Sequence, residues 1–129
     1  MEKEMIVKLI KNAYENLKNS YAPYSNFNVS ASLLTKSGKI FNGVNIENVS
    51  YPAGVCAEYV AVSKAVSEGE KDFEAIAIVC SKKMLCYPCG KCRQFLAEFK
   101  NDIDIIIAKD EKEYEIKKLS QLLPNSFNF

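Results

Sequence analysis

Ile6, Leu9, Ile10, Ala13, Tyr14 and Leu17 recur at spacings of three and four residues, which predicts a helix over residues 2–19 with one apolar face. The segment Tyr21-Ala22-Pro23-Tyr24-Ser25-Asn26 breaks that period. Val29, Ala31 and Leu33 then alternate with Asn28, Ser30 and Ser32, the period of a strand. Lys36-Ser37-Gly38-Lys39 is a turn, and residues 40–44 are the return strand of a hairpin. Residues 45–54 are a loop. Helical spacing resumes from Cys56 to about Ser67, and Gly69 suits the helix end. Residues 75–80 and 103–108 are continuous apolar runs, as expected of strands buried on both faces. A helix over 89–99 separates them. Residues 114–116 are a short strand, and 118–122 a short helix stopped by Pro124. The order α-β-β-α-β-α-β-β-α predicts a layered α/β fold with mixed strand pairing, in which 89–99 is the crossover between two parallel strands. There is no repeat or linker, so the expectation is a single domain over residues 1–129.

Composition narrows the function. The chain has 129 residues, 48% of them hydrophobic, enough for a sizeable core. Seventeen Lys and Arg against 16 Asp and Glu leave a net +1, so no basic excess calls for a nucleic-acid backbone. The charged start Met1-Glu2-Lys3-Glu4 and the lack of a long apolar window argue for a cytoplasmic protein with no membrane span. There is no histidine, which removes Ser-His, Cys-His and His-metal chemistry. Five cysteines is an odd count, and in a cytosolic chain a cysteine cluster points to metal before disulfides.

The cysteines have a pattern. Cys56-Ala57-Glu58 is followed by Pro88-Cys89-Gly90-Lys91-Cys92. Cys89 and Cys92 share one helix face, a turn apart. Side chains two apart on a regular helix diverge by ~200°. Cys56 is therefore expected in an irregular first turn, with Glu58 just inside the helix. Both motifs then start helices, where the dipole favours thiolate. Three thiolates suit zinc and leave its fourth position open for a water, whose proton Glu58 would carry. That is the signature of zinc nucleobase deaminases. Cys89-x-x-Cys92 alone also fits a redox pair or half of a structural zinc site. Cys86 adds a second overlapping C-x-x-C, so Cys56, Cys86, Cys89 and Cys92 could close a four-sulfur site. Pro88 works against this by holding Tyr87 extended and Cys86 outside the helix. Cys80 ends an apolar run and is expected in the core.

At these residues the sequence resembles the small cytidine deaminases over nearly its whole length. The resemblance rests on Tyr21 to Phe27, Gly43-Val44-Asn45-Ile46-Glu47-Asn48, the two cysteine motifs with Arg93-Gln94, and Leu122-Leu123-Pro124 with Phe127. It implies a three-layer α-β-α fold with a mixed five-stranded sheet and a zinc site at two helix N-termini. It implies one Zn²⁺ per subunit, held by Cys56, Cys89 and Cys92, with Glu58 as proton shuttle. Asn45 and Glu47 would bind the ribose 3′-hydroxyl, Phe27 would pack on the nucleoside, and the backbone of Ala57 would hold the pyrimidine carbonyl. Phe127 would stack on the base in a neighbouring subunit's site, because the short family members resemble one another in being homotetramers. The implied activity is hydrolytic deamination of cytidine and 2′-deoxycytidine in pyrimidine salvage.

Two positions depart from the family. Tyr59 stands where an arginine usually follows the glutamate, so helix dipoles and Tyr59 are left to offset three thiolates. Ser30 stands where glycine is common. Blasticidin S deaminases also lack that arginine, which keeps a modified cytosine nucleoside open as substrate; Asn45 and Glu47 favour cytidine. An alternative of another class is a non-catalytic, zinc-stabilised binding module.

Overall fold

The computed structural model describes residues 1–99 and 101–129. Its elements are α1 (Lys3–Asn16), β1 (Val29–Thr35), β2 (Ile40–Val44), α2 (Ala57–Ser67), β3 (Phe73–Cys80), α3 (Gly90–Ala97), β4 (Asp104–Ala108), β5 (Tyr114–Lys118) and α4 (Leu119–Leu122). The strands form one sheet in the order β2-β1-β3-β4-β5. Of these strands β3 and β4 pair in parallel, and α3 lies in the connection between them. The other neighbours are antiparallel. The mixed five-stranded sheet and the predicted element order are both present. Ends differ by a few residues: α1 gives way to a 3-10 turn at Leu17–Asn19, α3 starts after Cys89, and β5 runs on to Lys118.

Each face of the sheet has its own core. Ile6, Leu9, Ile10 and Ala13 of α1 pack on Leu34, Ala75, Ala77, Val79 and Ile106. On the other face Ala61, Val62 and Ala65 of α2 join Leu96 of α3 against Leu33, Ile76, Ile78, Ile105 and Ile107. Residues 75 to 79 thus alternate between two apolar layers, which is why that run carries no polar phase. A fully buried Leu or Ile side chain contributes about 1.5–3 kcal/mol.

In β1 the alternation of small polar and apolar residues marks a strand, but its polar side does not face water. Ser30 and Ser32 are both fully buried. The Ser32 hydroxyl donates to Asn42 Oδ1. Among the described residues Ser30 Oγ has no partner, at a cost of about 1–3 kcal/mol for a buried hydroxyl. The strand is internal to the sheet, so small side chains were accepted there for packing on α1 rather than for solvation.

Gly43 decides where the site sits. It pairs with Ala31 across the hairpin. A Cβ at Gly43 would lie 2.3 Å from the Ala57 carbonyl oxygen and 2.4 Å from the Ala61 nitrogen. Only a bare backbone lets the first turn of α2 rest directly on β2.

Candidate active site

Two helix N-termini meet at the end of the sheet. Cys56 is the residue before α2, extended at φ −83° and ψ 156°. Cys89 holds the same place before α3, at φ −69° and ψ 165°. Neither cap has a side-chain hydrogen bond, so both thiols are left for other work. An aromatic chain sets the two helices against each other. Tyr59 of α2 stacks on Phe95 of α3 at 4.5 Å, and Phe95 meets Phe99 at 6.0 Å. Phe99 packs on Phe73 of β3 at 5.0 Å.

The sulfur atoms of Cys56, Cys89 and Cys92 lie within 4.8 Å of one another and could hold a metal ion. Cys56 Sγ is 3.8 Å from Cys89 Sγ. Tetrahedral Zn–S bonds of about 2.3 Å require sulfurs about 3.8 Å apart, so these residues fit zinc. The family-implied ion is therefore compatible with the spacing and softness of this donor set. Cys86 lies outside the three-sulfur group and outside α3. Its thiol is pushed up to about 12, by burial first and then by the neighbouring Cys80 and Glu58. Cys80 is buried in the sheet.

The cluster is electrically uneven. The Cys56 thiol is lowered to about 6, chiefly because Cys92 directs a hydrogen bond at it; Cys89 and the charge of Lys91 add to this. Cys92 is pushed up, as the donor to Cys56 and by burial. Lys91 Nζ is 5.0 Å from the centre of the Tyr59 ring. The positive charge beside the sulfurs thus comes from Lys91, with Tyr59 as its seat, a pairing that neither motif announces in sequence.

Glu58 occupies the second helical position of α2 and is only 4% exposed. Burial raises its carboxyl to about 7; its own backbone N–H works the other way, and Cys56 adds to the rise. A carboxyl that holds or releases a proton near neutrality is suited to acid–base work. Ala57, also fully buried, is the first helical residue, where a backbone N–H has no partner within the helix.

A cavity of about 640 Å³ opens onto these groups. Its lining includes Cys56, Ala57, Glu58 and Cys89, and from other elements Asn45, Glu47, Tyr24, Val29, Cys86 and Tyr87. The size suits a small molecule. Glu47 is held as a carboxylate: it accepts from the backbone N–H groups of Tyr24 (2.9 Å) and Ser25 (3.1 Å) and from the Ser25 hydroxyl. The Ser25 hydroxyl is the main cause of its lowered pKa.

Asn45 has a second duty that its position in a loop motif does not reveal. Its Oδ1 accepts from Val29 N–H at 2.9 Å and from the Ser20 hydroxyl, while Nδ2 donates to the Phe27 carbonyl at 2.8 Å. It pins the start of β1, and one amide hydrogen remains for a ligand. Asn45→Ala is expected to lower stability by about 1–3 kcal/mol, because partly buried backbone groups lose their partners. Thermal denaturation of the zinc-loaded protein would register this; an unshifted transition would limit Asn45 to ligand binding.

Phe27 is half-buried and is not among the cavity-lining residues; Val29 is. Phe127 is 70% exposed and likewise does not line the cavity of its own chain. Its backbone is clamped by Gln94, which accepts from Phe127 N–H at 3.2 Å and donates to its carbonyl at 2.9 Å. Arg93 donates to the carbonyls of Pro88 at 2.8 Å and Leu122 at 2.7 Å, joining the loop before α3 to the end of α4. The Arg93-Gln94 pair thus positions the C-terminal segment.

Residues 3–109 match the family described as the cytidine and deoxycytidylate deaminase zinc-binding region. A probable cytidine deaminase of Dictyostelium discoideum is 41% identical over 129 residues, 99% of this chain and 87% of that protein. A cytidine deaminase of Halalkalibacterium halodurans is 41% identical over 98% of this chain and 95% of its own. Among solved structures, the cytidine deaminase from Burkholderia pseudomallei superposes with a TM-score of 0.87 at 37% identity, covering 93% of this chain and 97% of that one.

Proposed function

Because the chain belongs to the cytidine and deoxycytidylate deaminase family, we propose that it is a zinc-dependent hydrolase converting cytidine and 2′-deoxycytidine, with water, to uridine or 2′-deoxyuridine and ammonia. The observation that carries this is a three-sulfur cluster, two of whose cysteines, Cys56 and Cys89, line one cavity together with the buried Glu58. Zinc, held by Cys56, Cys89 and Cys92, supplies when bound a water acidic enough to act as nucleophile near neutral pH.

The chain's own residues do the rest. Ala57 N–H, at the start of α2, is free to take the pyrimidine carbonyl, which brings N3 and C4 of the base beside Glu58. Glu58 accepts a proton from the water that adds at C4 and gives it to N3; it then takes the proton of the new C4 hydroxyl and passes it to the 4-amino group, which leaves as ammonia as the C4 carbonyl forms. Glu47 retains acceptor capacity beyond its three bonds, and Asn45 one N–H; together they suit the ribose 3′-hydroxyl, one accepting and one donating. Glu58 is only 4% exposed, so little bulk water reaches it.

We extend the reading to the assembly. Phe127 lies exposed at the chain's end, and Val49 (79%) and Tyr51 (82%) lie exposed beside the cavity. These suit a homotetramer in which Phe127 closes a neighbour's site and Phe27 packs beneath the nucleoside. Five free cysteines suit a reducing cytoplasm, and the products suit pyrimidine salvage by one domain spanning residues 1–129. Among the described residues no helix is long and apolar enough to cross a membrane.

Turnover of cytidine, deoxycytidine and blasticidin S, followed side by side by absorbance, tests the substrate. Both natural nucleosides are expected to be consumed, and the antibiotic not. Preference for blasticidin S would move the protein to the modified-nucleoside reading that Tyr59 suggested.

A further inference from the structure

We propose that Tyr87 is a specificity-determining wall of this site, braced by Glu115 against substituents on the C5 edge of the base. The inference rests on the cytidine reading above. Tyr87 belongs to neither zinc motif, yet it lines the cavity together with Cys86, Ala57 and Glu58. Tyr87 is 41% exposed, and its backbone and its hydroxyl are each restrained. Pro88 follows it and holds its backbone extended. Cys89, one residue further, is the N-cap residue of α3. The Tyr87 hydroxyl donates to Glu115 Oε1, and Glu115 is paired with Ile107 within the sheet. A tyrosine restrained at its backbone and at its hydroxyl has less rotamer entropy to lose on binding.

The direction of that face follows from the ring. With the carbonyl at Ala57 and N3 and C4 at Glu58, one edge of the pyrimidine lies along the first turn of α2. N1 and its sugar point to Asn45 and Glu47. The C5–C6 edge is then turned away from α2, toward the stretch of wall that runs through Cys86 and Tyr87 into α3. A hydrogen at C5 leaves room for the aromatic ring; a large atom there must displace a side chain that Glu115 holds in place.

The test compares kcat/KM for cytidine and 5-iodocytidine in the zinc-loaded full chain. Tyr87→Ala is expected to raise the ratio of 5-iodocytidine to cytidine by about tenfold or more, the scale on which a pocket resolves small apolar groups. Glu115→Ala, which leaves the ring but frees its hydroxyl, is expected to shift the ratio the same way by less. A ratio within twofold of wild type in Tyr87→Ala overturns the proposal. Should that variant fail to fold, an unmoved ratio in Glu115→Ala overturns it. Absence of cytidine turnover in the wild-type protein would overturn the functional reading itself, whereas normal cytidine turnover with unmoved ratios counts against Tyr87 alone.

Discussion

Replacing Glu58 by glutamine is expected to leave a folded, zinc-loaded protein that turns over cytidine about 10²–10⁴ times more slowly, the usual worth of a positioned general acid–base. The substitution preserves shape and removes only the ability to hold and release a proton. The chain has no histidine to take over, and among the residues lining the cavity Glu47 is already held as a carboxylate by Tyr24 and Ser25. Burial makes the charged form of Glu58 unfavourable, so a neutral amide there does not cost the fold stability. The zinc content and melting temperature of Glu58→Gln should therefore equal or exceed those of the parent while the rate collapses. Turnover within tenfold of wild type would remove Glu58 from the chemistry.

Cys92→Ala is expected to lose the metal. Cys92 is fully buried and is one of only three sulfurs in the cluster. Disturbing groups that merely orient a metal ligand costs about 10–100-fold in affinity, and deleting a ligand outright costs more. Zinc per chain after dialysis against a mild chelator should fall from one to near zero, and cytidine turnover with it. Cys86→Ala is the contrasting variant: Cys86 lies outside the three-sulfur group, so that protein should retain its zinc. Loss of metal from Cys86→Ala, with Cys92→Ala still loaded, would redraw the ligand set.

Much of this was legible in the chain because apolar runs and periods report local structure directly. The first helix, the hairpin with its turn at Gly38 and the two buried strands all stand close to where the hydrophobic pattern puts them. The zinc cluster and Glu58 were legible for a chemical reason: few uses require Cys-x-Glu and Cys-x-x-Cys together, and the ~200° divergence of Cys56 and Glu58 on a regular helix already demanded that Cys56 sit outside it. Its extended backbone before α2 is that solution.

What stayed hidden depends on residues brought together from afar. Ser30 and Ser32 look like a solvent-facing phase until α1 is laid over them. Asn45 reads as a ligand-binding loop residue, but its bonds to Phe27 and Val29 exist only once β1 and β2 are neighbours. Arg93 reaches a carbonyl 29 residues away. Lys91 over Tyr59 requires α2 and α3 to be in contact. None of these pairings leaves a local period for a sequence to display.

X-ray absorption at the zinc edge of the purified protein tests most directly for an open three-sulfur zinc centre served by Glu58. Three sulfur neighbours at about 2.3 Å and one oxygen or nitrogen near 2.0 Å, with the light atom exchanged on adding a substrate analogue, is the predicted result. Four sulfurs around the zinc would contradict it and make the centre a structural one.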